Sequence, residues 1–248
     1  DADSHCKSVV NGAYGVWMLQ NSYELAKAME TADKFTDSCS IPENDNKYPD
    51  ILDEARYELE WMMKMIVSKD DPYFGEDAKD MVYHKVQDHK YLGLGYKSWD
   101  YISDYDVTRI ITPPTYAATL DLSACAAQAA RLWKGIDDEF AEKCLDVAKR
   151  TYAAVKAKNG WKVDSGDYYK DPYFAPPEMA VSSKAYGDPY VQDEFYWAGC
   201  ELLAATGDKE YYDDISEYMG EKLAVDSPKE DITANTYSFG SLSLSLNK

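Results

Sequence analysis

DPYVQDEFYWAGCELLAATGD, residues Asp188 to Asp208, decides the fold. Val191, Phe195, Ala198, Leu202 and Ala205 recur four, three, four and three residues apart, which is one face of an α-helix. Pro189 suits a first turn, where its missing N–H costs nothing, and Gly207 followed by Asp208 ends the pattern. Asp188, Asp193 and Glu194 place three carboxylates around the helix start. They suit the helix dipole and simple solvation, and they equally offer hard oxygens to a cation such as calcium.

The same periodicity extends outward in both directions. Val16, Leu19, Tyr23 and Ala26 mark a first helix near 11–30, with Asn11 as its expected cap. Pro49 opens a second, near 50–67, whose stripe is Leu52, Ala55, Leu59, Met62, Met63 and Ile66. Further helices are expected near 117–133, 138–157, 190–206 and 209–224, and a short amphipathic one within 234–246, although SLSLSL alternates like a strand. Leu52, Leu59, Leu122, Val147, Phe195 and Leu202 fall on the stripes and are expected in the core. The pattern predicts an all-α protein of antiparallel helix hairpins. Two long polar stretches, Ser68–Thr112 and Trp161–Lys184, lack a sustained period; such loops gathered at one end of a helical array suit a cleft.

The 248 residues fit a single domain, 1–248. A formal charge of −19 repels phosphate backbones and anionic lipid, which argues against nucleic-acid and membrane-surface partners. No run of 18 apolar residues is present, so nothing is expected to span a membrane. Cys6, Cys39, Cys125, Cys144 and Cys200 are odd in number and lack C-x-x-C spacing, which argues against a disulfide scaffold or zinc finger. The 22 tyrosines supply flat faces with a hydroxyl, suited to stacking on sugar rings or to core and rim packing.

Several segments in order resemble glycoside hydrolase family 9, cellulases built on an (α/α)6 barrel. YPDILDEARYELEWMMKM (Tyr48–Met65) resembles the family's YPDLLDEARWELEFLLKM, and PPTYAATLDLSACAAQAARLW (Pro113–Trp133) its P-S-T-A-A-T-L helix. DEFYWAGCELLAATGD (Asp193–Asp208) resembles the family form closely, and VVNGAYGVWML (Val9–Leu19) the run after D-A-G-D-H-G-K-Y. The resemblance implies an (α/α)6-barrel-type domain, of which this chain covers about the first half to two thirds. It further implies a secreted, extracellular protein that hydrolyses β-1,4-glucan with inversion, with no organic cofactor.

The resemblance also implies site residues. In the family the two Asp of D-A-G-D supply the water-activating carboxylates; here the motif reads Asp1-Ala2-Asp3-Ser4, so Ser4 stands at the position of the base. Serine takes no proton near neutral pH without a base of its own. The family's acid lies in a late Asn-Glu motif, and no such pair occurs in these residues. DHKYLG (Asp88–Gly93) resembles D-H-K-W-W-G, implying that His89 donates to a sugar hydroxyl and Tyr91 stacks on a ring, with His84 and Tyr186 as further substrate contacts. NTYSFGSL resembles T-x-S-W-D, with Phe239 for Trp and Gly240 for Asp, and Asp188, Asp193 and Glu194 would hold a structural calcium. A non-catalytic glucan-binding remnant and an (α/α)-barrel glycosidase of other specificity are the alternative readings.

Overall fold

A computed structural model describes residues 5–89, 108–162, 171–174, 190–219 and 236–247. Seven helices make up most of the described residues: α1 (Val9–Ala28), α2 (Asp50–Met63), α3 (Tyr116–Trp133), α4 (Asp138–Lys158), α5 (Gln192–Thr206), α6 (Lys209–Ile215) and α7 (Tyr237–Leu246). Five short strands join them: β1 (Lys7–Ser8), β2 (Val82–Tyr83), β3 (Lys85–Asp88), β4 (Arg109–Ile111) and β5 (Pro114–Thr115).

Helix α3 is the hub. Its alanine-rich sequence lets α1, α4 and α5 approach closely, and nearly all its residues are buried. Thr115 caps it by accepting the Ala118 N–H, and Asp137 caps α4 by accepting from Phe140 N at 3.0 Å. Gly207, at φ 72°, ends α5 in the left-handed conformation that a residue with Cβ adopts at a cost. Phe195 is completely buried, stacked on Trp161 at 4.2 Å and on Tyr152 at 4.8 Å. Leu52, Leu59, Leu122, Val147 and Leu202 are buried as the periodicity requires. Along α1, Met18, Leu25 and Met29 form an apolar stripe on the outer face that no described element covers.

Tertiary contacts move several boundaries. Asn11 lies inside α1, because Val9 N bonds His84 O at 3.0 Å and the chain passes from β1 directly into the helix. Helix α2 stops at Met63: Met65 and Ile66 close it with tight turns, and Ile66 pairs with Val82 instead of extending the stripe. Helix α6 ends at Ile215, where Tyr218 N→Ile215 O and Met219 N→Ser216 O wind the chain into turns. The expected helix over 234–246 is found from Tyr237, not as a strand.

The polar stretch 68–112 builds two antiparallel ribbons. In one, β3 lies between β1 and β4, with Lys7 opposite Val86 and Val86 opposite Ile111; in the other, β2 pairs with β5. Both ribbons sit at the N-terminal end of α1 and α3, where β1 and β5 run into those helices.

Candidate active site

Strand β1 begins three residues after Ser4 in the sequence, and β3 ends at Asp88, the first residue of the D-H-K-Y stretch; the two strands pair. The junction is charged and specific. His5 Nδ1 lies 2.6 Å from Asp88 Oδ2, Arg109 Nη1 donates to Asp88 Oδ1 at 3.2 Å, and Arg109 Nη2 donates to the His5 carbonyl at 2.9 Å. Asp88 is fully buried, so the cation and the imidazole offset the cost of removing its carboxylate from water. His5 holds φ 44°, an unusual value for a residue with Cβ. The carboxylate fixes the imidazole's orientation through Nδ1.

Next to this junction, His89 Nδ1 lies 3.0 Å from Thr108 N and 3.2 Å from the Thr108 carbonyl oxygen, so the Thr108 backbone holds the ring in place. Lys85 is completely buried on β3. Burial pushes its ammonium below the ordinary lysine range, with Cys6 opposing the shift. Neither Lys85 nor the His5–Asp88–Arg109 junction stands out in the sequence; the H-K-V and R-I-I stretches carry no spacing that announces a pairing.

A second cluster lies at the start of α5. Asp193 and Glu194 are adjacent in sequence and both buried. Asp193 Oδ2 accepts from Thr236 N at 2.7 Å. Burial pushes the Asp193 carboxyl up, against the pull of its hydrogen bonds. A cavity of about 20 Å³, bounded by Val10, Tyr14, Asp121, Glu194, Trp197, Thr236 and Phe239, adjoins the pair and has room for about one water molecule. Val10 and Tyr14 belong to the first turns of α1, so both clusters flank that helix end.

Two of the candidate substrate contacts, His84 and Phe239, lie in the interior among the described residues. His84 has no accessible surface; its Nδ1 meets Thr115 Oγ1 at 2.9 Å and ties the β2–β3 corner to β5. Phe239 lies in the core, stacked on Trp17 at 3.7 Å and edge-on to Trp197 at 5.2 Å, so it fastens α7 to α1 and α5. Gly240 belongs to the same contact, since a Cβ there would come 2.9 Å from Cys200 Sγ. His89 keeps its place beside the junction. Asp1, Ser4, Tyr91, Tyr186 and Asp188 lie outside the described residues.

Two described carboxylates at the α5 start, Asp193 and Glu194, are adjacent in sequence and buried, and they offer the hard oxygens that a calcium ion takes. Among the described residues no group of three or more His, Cys, Asp or Glu side chains is arranged to hold a metal. A complete shell therefore needs carbonyls, water or Asp188. All five cysteines are free, four of them buried and Cys39 exposed. No helix among the described residues is long and apolar enough to cross a membrane.

The helical array with its motif-bearing ribbon matches one family model, glycosyl hydrolase family 9, over residues 1–244. The chain belongs to glycosyl hydrolase family 9. It is 40% identical over 215 residues to a "Cellulose 1,4-beta-cellobiosidase" of Acetivibrio thermocellus, covering 85% of this chain and 22% of that one. It is 41% identical over 210 residues to "Endoglucanase C" of Cellulomonas fimi, covering 84% and 17%. A solved "Bacteroides ovatus GH9" structure superposes with a TM-score of 0.73 at 25% identity, over 98% of this chain and 40% of that one. The all-α, partial (α/α)6-barrel architecture expected of the family is thus the one observed. The chain spans about a fifth of the length of the two curated relatives.

Proposed function

We propose that this family 9 chain is part of the catalytic domain of a secreted enzyme that hydrolyses β-1,4-glucan with inversion. The observation that carries the reading is the His5–Asp88 contact at 2.6 Å. It joins His5, which follows the Asp1-to-Ser4 motif in sequence, to Asp88, which opens the D-H-K-Y stretch. His89 donates to a sugar hydroxyl, and Tyr91 and Tyr186 stack on the glucan. The charge of −19 suits a neutral polysaccharide rather than a polyanion. A polymeric substrate that cannot cross a membrane is met outside the cell.

Inversion requires a base that activates water and an acid that protonates the leaving oxygen, on carboxyls roughly 6.5–9.5 Å apart. Asp1 supplies a carboxylate that orients the water, and Ser4 at the base position leaves proton removal weak. The acid comes from elsewhere in the parent protein. Each assistance is typically worth ~10²–10⁴-fold, so these 248 residues alone turn over slowly. Asp188, Asp193 and Glu194 hold one calcium ion that pins the preceding loop to the start of α5.

The test is release of reducing ends from soluble β-glucan by the chain, by its Ser4→Asp variant and by the full-length parent carrying each. A gain on Ser4→Asp in the parent supports the reading. Robust turnover by the unmodified chain that Asp1→Ala abolishes would overturn the assignment of a weakened base; binding to cello-oligosaccharides with no turnover by any form would favour the non-catalytic alternative.

A further inference from the structure

We infer that Tyr57, Trp61, Glu58 and Lys7 form a sugar-binding platform on the outer face of α2, where a β-glucan chain is held beside the candidate active site. The inference rests on the glucan reading above for its ligand. Tyr57 and Trp61 are one helical turn apart and therefore lie on the same side of α2. Tyr57 leaves 71% of its surface in water, which is unusual for a large aromatic side chain on a packed helix.

The groups between the rings are held in place. Lys7 Nζ sits 4.3 Å from the centre of the Trp61 ring, 5.7 Å from that of Tyr57, and 2.8 Å from Glu58 Oε2. On the other side, Glu58 lies close against α1 at Gly12, where a Cβ would come 2.7 Å from Glu58 Oε1. The carboxylate thus sits between the Lys7 ammonium and the α1 surface at Gly12. Both charges remain partly in water, so both can still bond a ligand.

The chemistry selects a neutral polyhydroxylated ligand. Lys7 and Glu58 form an ion pair and neutralise each other. A carboxylate that accepts and an ammonium that donates match adjacent hydroxyls of a pyranose, while an exposed ring offers its flat face to the sugar's C–H face. The place fits as well. Lys7 belongs to β1, which pairs with β3, so a glucan lying across β3's far end at Asp88–His89 passes within reach of α2. Such a platform would hold the polymer without touching the bond being broken.

Affinity electrophoresis of the chain in gels containing soluble β-1,4-glucan tests this, with Tyr57→Ala, Glu58→Gln and, as an exposed tyrosine elsewhere, Tyr73→Ala. Melting temperatures confirm folding, and Tyr57 is exposed enough to change without opening the core. We expect Tyr57→Ala to weaken retention by up to about tenfold, the size of one lost aromatic stacking contact. Glu58→Gln should weaken it too, and Tyr73→Ala should leave it unchanged. Equal retention of Tyr57→Ala and wild type overturns the platform while leaving the hydrolase reading intact. Retention by a sulfated polyanion but not by neutral glucan overturns the choice of ligand. If the wild type binds no β-glucan at all, both readings fall.

Discussion

Arg131→Met should cost about 3–5 kcal/mol of folding stability at neutral pH, because it leaves a buried charge cluster without its cation. Arg131, near the end of α3, bonds Glu24 of α1 through Nη1 and Glu201 of α5 through Nη2, and the three helices meet at this point. Burial raises the Glu201 carboxyl, with Arg131 opposing. For Glu24 burial also works upward, but Arg131, Asn247 and Gln128 outweigh it and the net shift is downward. Without the guanidinium, Glu201 keeps Ser243 Oγ at 2.5 Å and Trp197 Nε1 at 3.3 Å as donors, and Glu24 keeps Asn247 Nδ2 at 2.7 Å and Gln128 Nε2 at 3.0 Å. Those neutral donors place the loss toward the lower end of the range.

The pH dependence identifies the cause. With Arg131 gone, burial raises the Glu201 carboxyl without a cation opposing it, and Glu24 loses the strongest of the contacts that lower it, so both move up from their wild-type folded positions. Such groups leave stability intact below the unfolded carboxylate range, and stability is lost as pH rises through their raised folded values. The variant's deficit should therefore be small near pH 4 and reach its full size near neutrality. Urea unfolding followed by tryptophan fluorescence at several pH values measures it. A deficit under ~1 kcal/mol at neutral pH, or one of equal size at both ends, refutes the argument.

Gly199→Ala should destabilise by about 1–3 kcal/mol in thermal or urea melts, since its Cβ would meet Ile215 Cγ2 at 2.3 Å and Tyr152 Oη at 3.2 Å inside the α5–α6 contact. Millimolar calcium should raise the melting temperature of the wild type and chelator should lower it, with Asp193→Asn removing the response. Calorimetry that finds no calcium uptake in the millimolar range would eliminate the metal proposal.

The helices were legible because each buries a stripe whose spacing survives in the sequence. Phe195 and Leu202 on α5, or Leu52 and Leu59 on α2, could be assigned to the core without knowing their partners. What defeated the reading was partnership across distance. Ile66 has helical spacing but its backbone pairs with Val82, and Asn11 reads as a cap although the His84 carbonyl already takes the Val9 N–H. Phe239 and His84 match sugar-contacting types in family motifs, yet an aromatic ring or imidazole reads alike in a core and in a cleft; only burial separates them. The His5–Asp88–Arg109 junction spans three segments far apart in sequence, with no local pattern to reveal it.

The ribbon β1–β3–β4 has a kinetic consequence. Pairing Lys7 with Val86 closes a loop containing all of α1 and α2, whereas α3 and α4 are joined by four residues, Lys134 to Asp137. Chain closure over long separations loses more entropy before any contact compensates it, so local helix hairpins form early and the ribbon late. On this order the α3–α4 hairpin is the scaffold on which the rest condenses. The wall carrying His5, Asp88 and His89 is then the last part to assemble and the first to open under mild denaturant. Glucan binding should disappear while most of the helical signal remains.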